Sequence, residues 1–178
     1  PIEEPEHHIH KFTRKLRLTA SELEKIDPAA LEAFKRDYLY EYSAYDNCSC
    51  LIEADEEPIR PINQEALDTI LLVSLMSNSN ILDEFFVMRK IVLDGSNTSG
   101  FQRTMLISTG GNIKVNNKNV GIQTIVLEED ACTPLEKTPE KIGYSLHRLG
   151  VPLIELATEP VLRSPKEIND CAMKIGEI

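Results

Sequence analysis

With 178 residues, 42% of them hydrophobic and 27% charged, the chain is long enough for one domain with a real core and has the composition of an ordinary soluble globular protein. A formal net charge of -10 argues against this piece carrying the main electrostatic footprint for a nucleic acid, because phosphate binding draws on clustered Lys and Arg. No apolar run approaches the ~20 residues of a membrane span, the longest being Ile70 to Met76, and no signal peptide is recognisable, so a cytoplasmic protein is expected.

Residues 1–18 read as an extended lead-in, polar as far as His10 and then a solvated basic strand over His10 to Arg17. Thr19 and Glu22 have capping-box spacing and predict a helix whose apolar face includes Leu23, Ile26 and Leu31, with Pro28 at a turn boundary or in a first turn. From Asp37 the period drops to two. Tyr38, Tyr40 and Tyr42 alternate with Leu39, Glu41 and Ser43, and Asp46-Asn47 precedes Cys50-Leu51-Ile52-Glu53, which predicts a β-hairpin with a packing row of tyrosines. Asn63 caps a predicted core helix from Gln64 to about Ser77, presenting Leu67, Ile70, Leu71 and Leu75, with Val73 and Met76 widening the face.

Strands follow at Phe86 to Asp94, Phe101 to Thr109, Ile113 to Asn116 and Val120 to Glu128, with turns at Gly110-Gly111 and Asn117-Lys118. Their short connections predict antiparallel pairing. Further extended segments at Tyr144 to Leu146 and Pro152 to Ala157 precede a last helix opened by Ser164-Pro165-Lys166-Glu167. The expected fold class is α+β, a mostly antiparallel sheet with helices packed on one face, residues 19–178 forming the domain proper. The four cysteines read as thiols. Only Cys48 and Cys50 have ligand-like spacing, and Cys132 and Cys171 offer no matching pair for a zinc site.

Three segments carry candidate chemistry. The run Asp94-Gly95-Ser96-Asn97-Thr98-Ser99-Gly100-Phe101-Gln102 places two glycines among side chains that hydrogen-bond anionic oxygens, so it suits close backbone approach to a ligand; taken alone it also suits a polar hairpin turn. Glu128, Glu129 and Asp130 end a strand, where a period of two sends Glu128 and Asp130 to one face and Glu129 to the other. Glu155 stands in the apolar strand Val151 to Ala157, where a buried carboxylate is costly unless paired or bound to a metal. Brought together, a carboxylate of the Glu128-Glu129 pair and Glu155 would form the oxygen-rich site that Mg2+ prefers.

With Leu127 to Ala131 and His147 to Pro160, the Ser-Asn-Thr-Ser-Gly-Phe-Gln loop resembles the cradle domain of the E-type subunit of archaeal glutamyl-tRNA(Gln) amidotransferase, a relative of the bacterial and organellar B-type subunit. The resemblance runs from about Thr19 to Pro165 and includes Glu41 to Asp46 and Met88 to Val92. It implies an ATP- and Mg2+-dependent enzyme that phosphorylates glutamate carried on tRNA(Gln) and substitutes ammonia supplied by an asparaginase-like amidotransferase partner, the D-type subunit. It also implies Glu129 and Glu155 as metal ligands, Glu128 as a nearby ligand or partner, and Ser96, Asn97, Thr98, Ser99, Gly100, Gln102 and Arg148 as the lining of the nucleotide or aminoacyl pocket. The family's Gly-Leu-Glu-Ile-His stretch and its helical and tail domains have no counterpart here, so a catalytically incomplete piece is expected, with Glu-tRNA(Gln) held mainly through other regions. The alternatives are a non-catalytic scaffold of the same fold, or the B-type subunit with a glutaminase partner.

Overall fold

The computed structural model describes residues 8–18, 20, 25–46 and 48–178, with the side chains of residues 8 and 9 outside that description. Along the chain come β1 (His8–Arg14), α1 (Pro28–Lys35), β2 (Leu39–Tyr45), α2 (Gln64–Met76), β3 (Asn80–Ile81), β4 (Met88–Ile91), β5 (Phe101–Thr109), β6 (Asn112–Val115), β7 (Lys118–Glu129), β8 (Thr133–Lys137), β9 (Lys141–Ser145), β10 (Pro152–Thr158) and α3 (Pro165–Ile175). The class is α+β with mostly antiparallel pairing. The chain divides into two compact units. The first holds Pro1–Pro61, Arg89–Arg103 and Glu129–Val151, and the second holds Ile62–Met88, Thr104–Glu128 and Pro152–Ile178.

In the first unit a four-stranded sheet runs β1-β2-β9-β8. β1 pairs antiparallel with β2, while β2 and β9 run parallel with Tyr42 opposite Tyr144. The core is correspondingly aromatic. Tyr40, Tyr42 and Tyr144 are buried with Leu16, Cys132 and Leu146, the Tyr42 and Tyr144 rings stacked at 6.0 Å and Phe12 tilted against Tyr42 at 5.3 Å. α1 starts where Asp27 Oδ1 accepts from the Ala29 and Ala30 amides at 2.8 and 3.1 Å and Pro28 takes the first helical position, which needs no N–H donor. The predicted Thr19-Glu22 capping box lies outside the described residues, and Ile26 precedes the helix in an isolated bridge to Ala20.

The predicted hairpin partner of β2 is a correction. Residues 50–56 form turns, closed by Ala54 N donating to Cys50 O at 3.2 Å and Glu56 N to Leu51 O at 2.8 Å, while Glu53 Oε2 accepts from Cys50 N at 2.7 Å. With those groups satisfied locally, β2 pairs instead with β1 and β9, strands distant in sequence.

The second unit's sheet runs β10-β7-β5-β3, with β6 also paired to β7. β5 occupies the predicted Phe101–Thr109, and the antiparallel expectation holds for β5 with β7 and for β6 with β7. Ile70, Ile107, Val120, Ile122 and Ile125 form the centre of an aliphatic core. α2 is capped as predicted, Asn63 Oδ1 accepting from Ala66 N at 3.0 Å, but its buried stripe is Ile70 and Ser74, whereas Leu75 and Met76 are exposed. A seam of hydroxyls explains the shift of face. Ser108 Oγ donates to Ser74 Oγ at 2.8 Å and Ser77 Oγ lies 3.0 Å from Ser79 Oγ, so the helix presents serines where an all-apolar face was expected. Gly111 is required beside this seam: its φ is +96°, and a Cβ there would overlap Ser79 Oγ and meet Ser77 O at 2.6 Å.

Candidate functional site

The loop between β4 and β5 is fixed mainly through its carbonyls. Tyr42 OH donates to Gly95 O at 2.6 Å, Tyr144 OH donates to Asp94 O at 2.9 Å, and Cys132 N donates to Ser96 O at 2.8 Å. Asp94 Oδ1 accepts from Ser96 N at 2.9 Å, an Asx turn that starts the bend. Gly95 has φ of +79°, and a Cβ on it would overlap the Tyr40 ring, 2.7 Å from Cγ, so the close approach to the tyrosine core demands glycine. Burial pushes the Tyr42 and Tyr144 phenols well above their ordinary range, with the charge of Asp94 adding to the shift at Tyr144; both remain neutral donors.

Most of the side chains expected to meet a ligand are instead spent within the protein. Thr98 Oγ1 donates to Glu53 O at 2.7 Å, Ser99 Oγ to Phe101 O at 3.0 Å, and Gln102 Nε2 to Glu129 O at 2.5 Å. Asn97 differs. It is 6% exposed, and its Oδ1 has no hydrogen-bond partner. Leaving a buried acceptor unsatisfied costs on the order of 1–3 kcal/mol, and such an atom calls for a specific reason.

Asn97 lines a cavity of about 170 Å³ in the first unit together with Glu53, Phe101, Arg103, Glu129 and Gly150. Arg103 donates through Nη1 to Arg60 O at 2.7 Å and through Nη2 to Glu129 Oε1, while its buried Nε has no partner. Its side chain is 13% exposed and that of Glu129 is 23% exposed, so the ion pair is partly desolvated and held on both sides. Arg103 and Glu53 were not singled out in the sequence. A lone Arg in a strand carries no local signal, since its role comes from the carboxylate that β7 brings to it.

Arg148 is engaged structurally: its Nε donates to Asp130 Oδ2 at 2.6 Å, and Asp130 also ties the turn through Gly150 N to Asp130 O at 3.0 Å. Glu128 and Glu155 belong to the second unit, Glu129 to the first. Glu155 is exposed on β10, so the expected burial penalty on its carboxylate does not apply. Among the described residues no group of three or more His, Cys, Asp or Glu side chains is placed to hold a metal ion. The described cysteines, including Cys48 and Cys50, are free thiols.

The chain matches the family described as the GatB/GatE catalytic domain over residues 14–178. It belongs to that family. Among its relatives, the E-type subunit of glutamyl-tRNA(Gln) amidotransferase from Aeropyrum pernix is 51% identical over 176 residues, covering 99% of this chain and 27% of the relative. The corresponding E-type subunits of Saccharolobus islandicus and Sulfurisphaera tokodaii are each 49% identical, over 165 and 168 residues, covering 93% and 94% of this chain and 26% and 27% of the relatives. The chain therefore spans about a quarter of the length of these relatives. No helix among the described residues is long and apolar enough to cross a membrane.

Proposed function

We propose that the protein carrying this chain uses ATP to phosphorylate the side-chain carboxylate of glutamate attached to tRNA(Gln), and lets ammonia displace the phosphate to give Gln-tRNA(Gln). The observation that carries the reading is identity at about half of all positions, 51% over 176 residues, with a protein named for that amidotransferase. The partly buried Arg103-Glu129 pair supports it as a site where a carboxylate is held in fixed orientation. Ammonia would come from a partner amidase, the asparaginase-like D-type subunit, because the relatives described above carry the name of the E-type subunit. With a net charge of -10 here, we assign the grip on tRNA mainly to regions outside this chain, and the working compartment to the cytoplasm.

Mg2+ is usually held by one or two carboxylates, with water and substrate phosphate oxygens completing its shell. The cavity is lined by the carboxylates Glu53, Asp55 and Glu129, of which Asp55 is paired with Arg17 and Glu53 accepts from Cys50 N, so Glu129 beside them fits that habit without a full protein cage. Glu129 is the residue we assign to the ion; for Glu155 and Glu128 the support is the family resemblance. Bound there, Mg2+ would neutralise charge developing on the transferring phosphoryl oxygens. The chain's own residues do the positioning: Arg103 orients the Glu129 carboxylate, Gln102 fixes the backbone at Glu129, and Arg148 holds Asp130 beside it.

The test is made on the full-length protein with its amidase partner. ATP hydrolysis that depends on Glu-tRNA(Gln), with Gln-tRNA(Gln) formed when ammonium is supplied, is the expected result. No ATP hydrolysis would leave the scaffold reading standing, and ATP hydrolysis indifferent to the aminoacyl group would overturn the glutamyl-phosphorylation reading.

A further inference from the structure

The basic run from His10 to Arg17 does not simply face solvent. The side chain of Arg14 on β1 is 15% exposed, and its guanidinium lies 5.0 Å from the centre of the Phe12 ring. Its Nη2 donates to Glu56 Oε1, its Nη1 lies 4.0 Å from Asp55 Oδ2, and Arg17 Nη1 donates to the same Asp55 oxygen. Both carboxylates stand in the turns after Cys50, and residues 50–61 form neither helix nor strand. That segment nevertheless supplies Ile52, Glu53, Asp55, Ile59 and Arg60 to the lining of the first unit's cavity. A wall without ladder hydrogen bonds takes its position from side chains. Two reach its carbonyls from β5 and the loop before it: Thr98 Oγ1 donates to Glu53 O and Arg103 Nη1 to Arg60 O, each at 2.7 Å. The arginines of the basic run hold its carboxylates. Arg103 is the link to the chemistry, because the other arm of its guanidinium donates to Glu129 Oε1. If the wall shifts, Arg60 O leaves Arg103, and the fork that orients Glu129 loses the anchor on its other arm.

We propose that Arg14 and Glu56 are a positioning pair for the site: they fix the wall of residues 50–61, so that Arg60 O meets Arg103 and Glu129 stays aimed. The proposal rests on the functional reading above for the role of Glu129, and it adds two residues that do not themselves line the cavity. The competing use of a basic strand is contact with tRNA phosphates. The two uses differ at Glu56. A phosphate contact needs the arginine alone, and removing the neighbouring carboxylate would free that arginine for phosphate. A positioning pair needs both partners.

The test uses the full-length protein with its partner and three variants: Arg14→Gln, Glu56→Ala and the two combined. Expected in each single variant is a fall of about 10-fold in kcat for Glu-tRNA-dependent ATP hydrolysis, since a misplacement of about 1 Å costs up to ~100-fold. KM for Glu-tRNA(Gln) should stay close to that of the parent. The double variant should be no slower than either single one, because all three remove the same contact. Urea midpoints should show every variant folded under assay conditions, as a pair whose carboxylate is 55% exposed adds little to stability. Ile52 and Ile59 belong to the wall, so their methyl signals report it directly; they should shift in both single variants while those of Ile107 stay in place. A raised KM for Glu-tRNA(Gln) in Arg14→Gln with Glu56→Ala unaffected would give the strand to tRNA and overturn the proposal. Losses of kcat that add in the double variant, or that match a loss of folded protein, would overturn it too. If the parent shows no Glu-tRNA-dependent ATP hydrolysis, the functional reading fails and the methyl signals decide alone: shifted in both variants they support the pair, and unmoved they overturn it.

Discussion

The two units solve packing with different chemistry. The second is built on Ile70, Ile107, Ile122, Ile125 and Val120, side chains that fill space and specify a sheet but aim nothing. All five tyrosines of the chain, Tyr38, Tyr40, Tyr42, Tyr45 and Tyr144, belong to the first unit, where Tyr42 and Tyr144 reach out of a stacked core to hold the carbonyls of Gly95 and Asp94. A phenol serves both needs, apolar area for the core and one directed hydrogen bond at its rim. An aliphatic core could support the sheet equally well, but it could not pin a loop by its backbone. Placement of the binding loop on the tyrosine side therefore follows from which core can hold it.

The comparison is broken most severely by changes at the first unit's cavity that leave its core alone. Glu129→Gln keeps shape and removes a charge, so Glu-tRNA-dependent phosphorylation should fall by roughly two orders of magnitude or more, while the lost ion pair to Arg103 should cost on the order of 1–3 kcal/mol of stability and leave the fold intact. The same substitution at Glu155 tests the ligand role assigned by resemblance. Exposed as it is, Glu155→Gln should not disturb folding, and a comparable loss of phosphorylation with the partner's ammonia release intact would support that role. Full retention of phosphorylation removes Glu155 from the site.

In the second unit the largest effect is on stability. Ile107 is fully buried, and Ile107→Ala should cost about 2–5 kcal/mol, read from urea midpoints at unchanged slope. A cost under ~1 kcal/mol would mean that the site collapses to fill the cavity. Tyr42→Phe in the first unit should cost less, about 1–3 kcal/mol, because the ring remains and only the bond to Gly95 O is lost. Its distinguishing signature is local: faster amide exchange through Ser96 to Gly100, with the signals of Ile107 and Ile125 unmoved.

What the sequence revealed and what it hid divide along the same physical line. The caps Asn63 and Ser164, and β5, were legible because a helix start or a strand's period is written in neighbouring residues. The parallel pairing of β2 with β9 was hidden, since it joins segments about a hundred residues apart and leaves no local trace. The binding loop was legible from its glycines. Its chemistry was not: Thr98, Ser99 and Gln102 had the right side chains, but tertiary neighbours absorb their hydrogen bonds, and only the fold shows that Asn97 is the one with a buried oxygen left over. Apolar flanks also suggested a buried Glu155, yet β10 leaves it exposed.

The smallest expected effect separates the two cores by pH. In the first unit burial raises the Tyr42 and Tyr144 phenols above their ordinary 10.0 and the Cys132 thiol above its ordinary 9.0. Each group is neutral when protonated, so the folded state holds its protons to higher pH than the unfolded state does. The stabilisation is complete below about pH 9, and it is lost progressively as pH rises toward the folded-state values, beginning with Cys132 and continuing with the tyrosines above about pH 10. By about pH 9.5 the loss should be on the order of 1 kcal/mol, most of it from Cys132. In the second unit Cys171 is raised by burial as well, so Cys171→Ala provides the background in which the first unit's contribution is isolated. The chain has no tryptophan, so tyrosine fluorescence during urea unfolding reports the first unit directly, and methyl signals of Ile107 and Ile125 report the second. In that background the fluorescence midpoint should fall between pH 7 and 9.5, and adding Cys132→Ala should remove most of the fall. A midpoint that stays flat with pH while Cys132 is present would mean that the thiol is as easily ionised folded as unfolded, contrary to its burial beside the tyrosines.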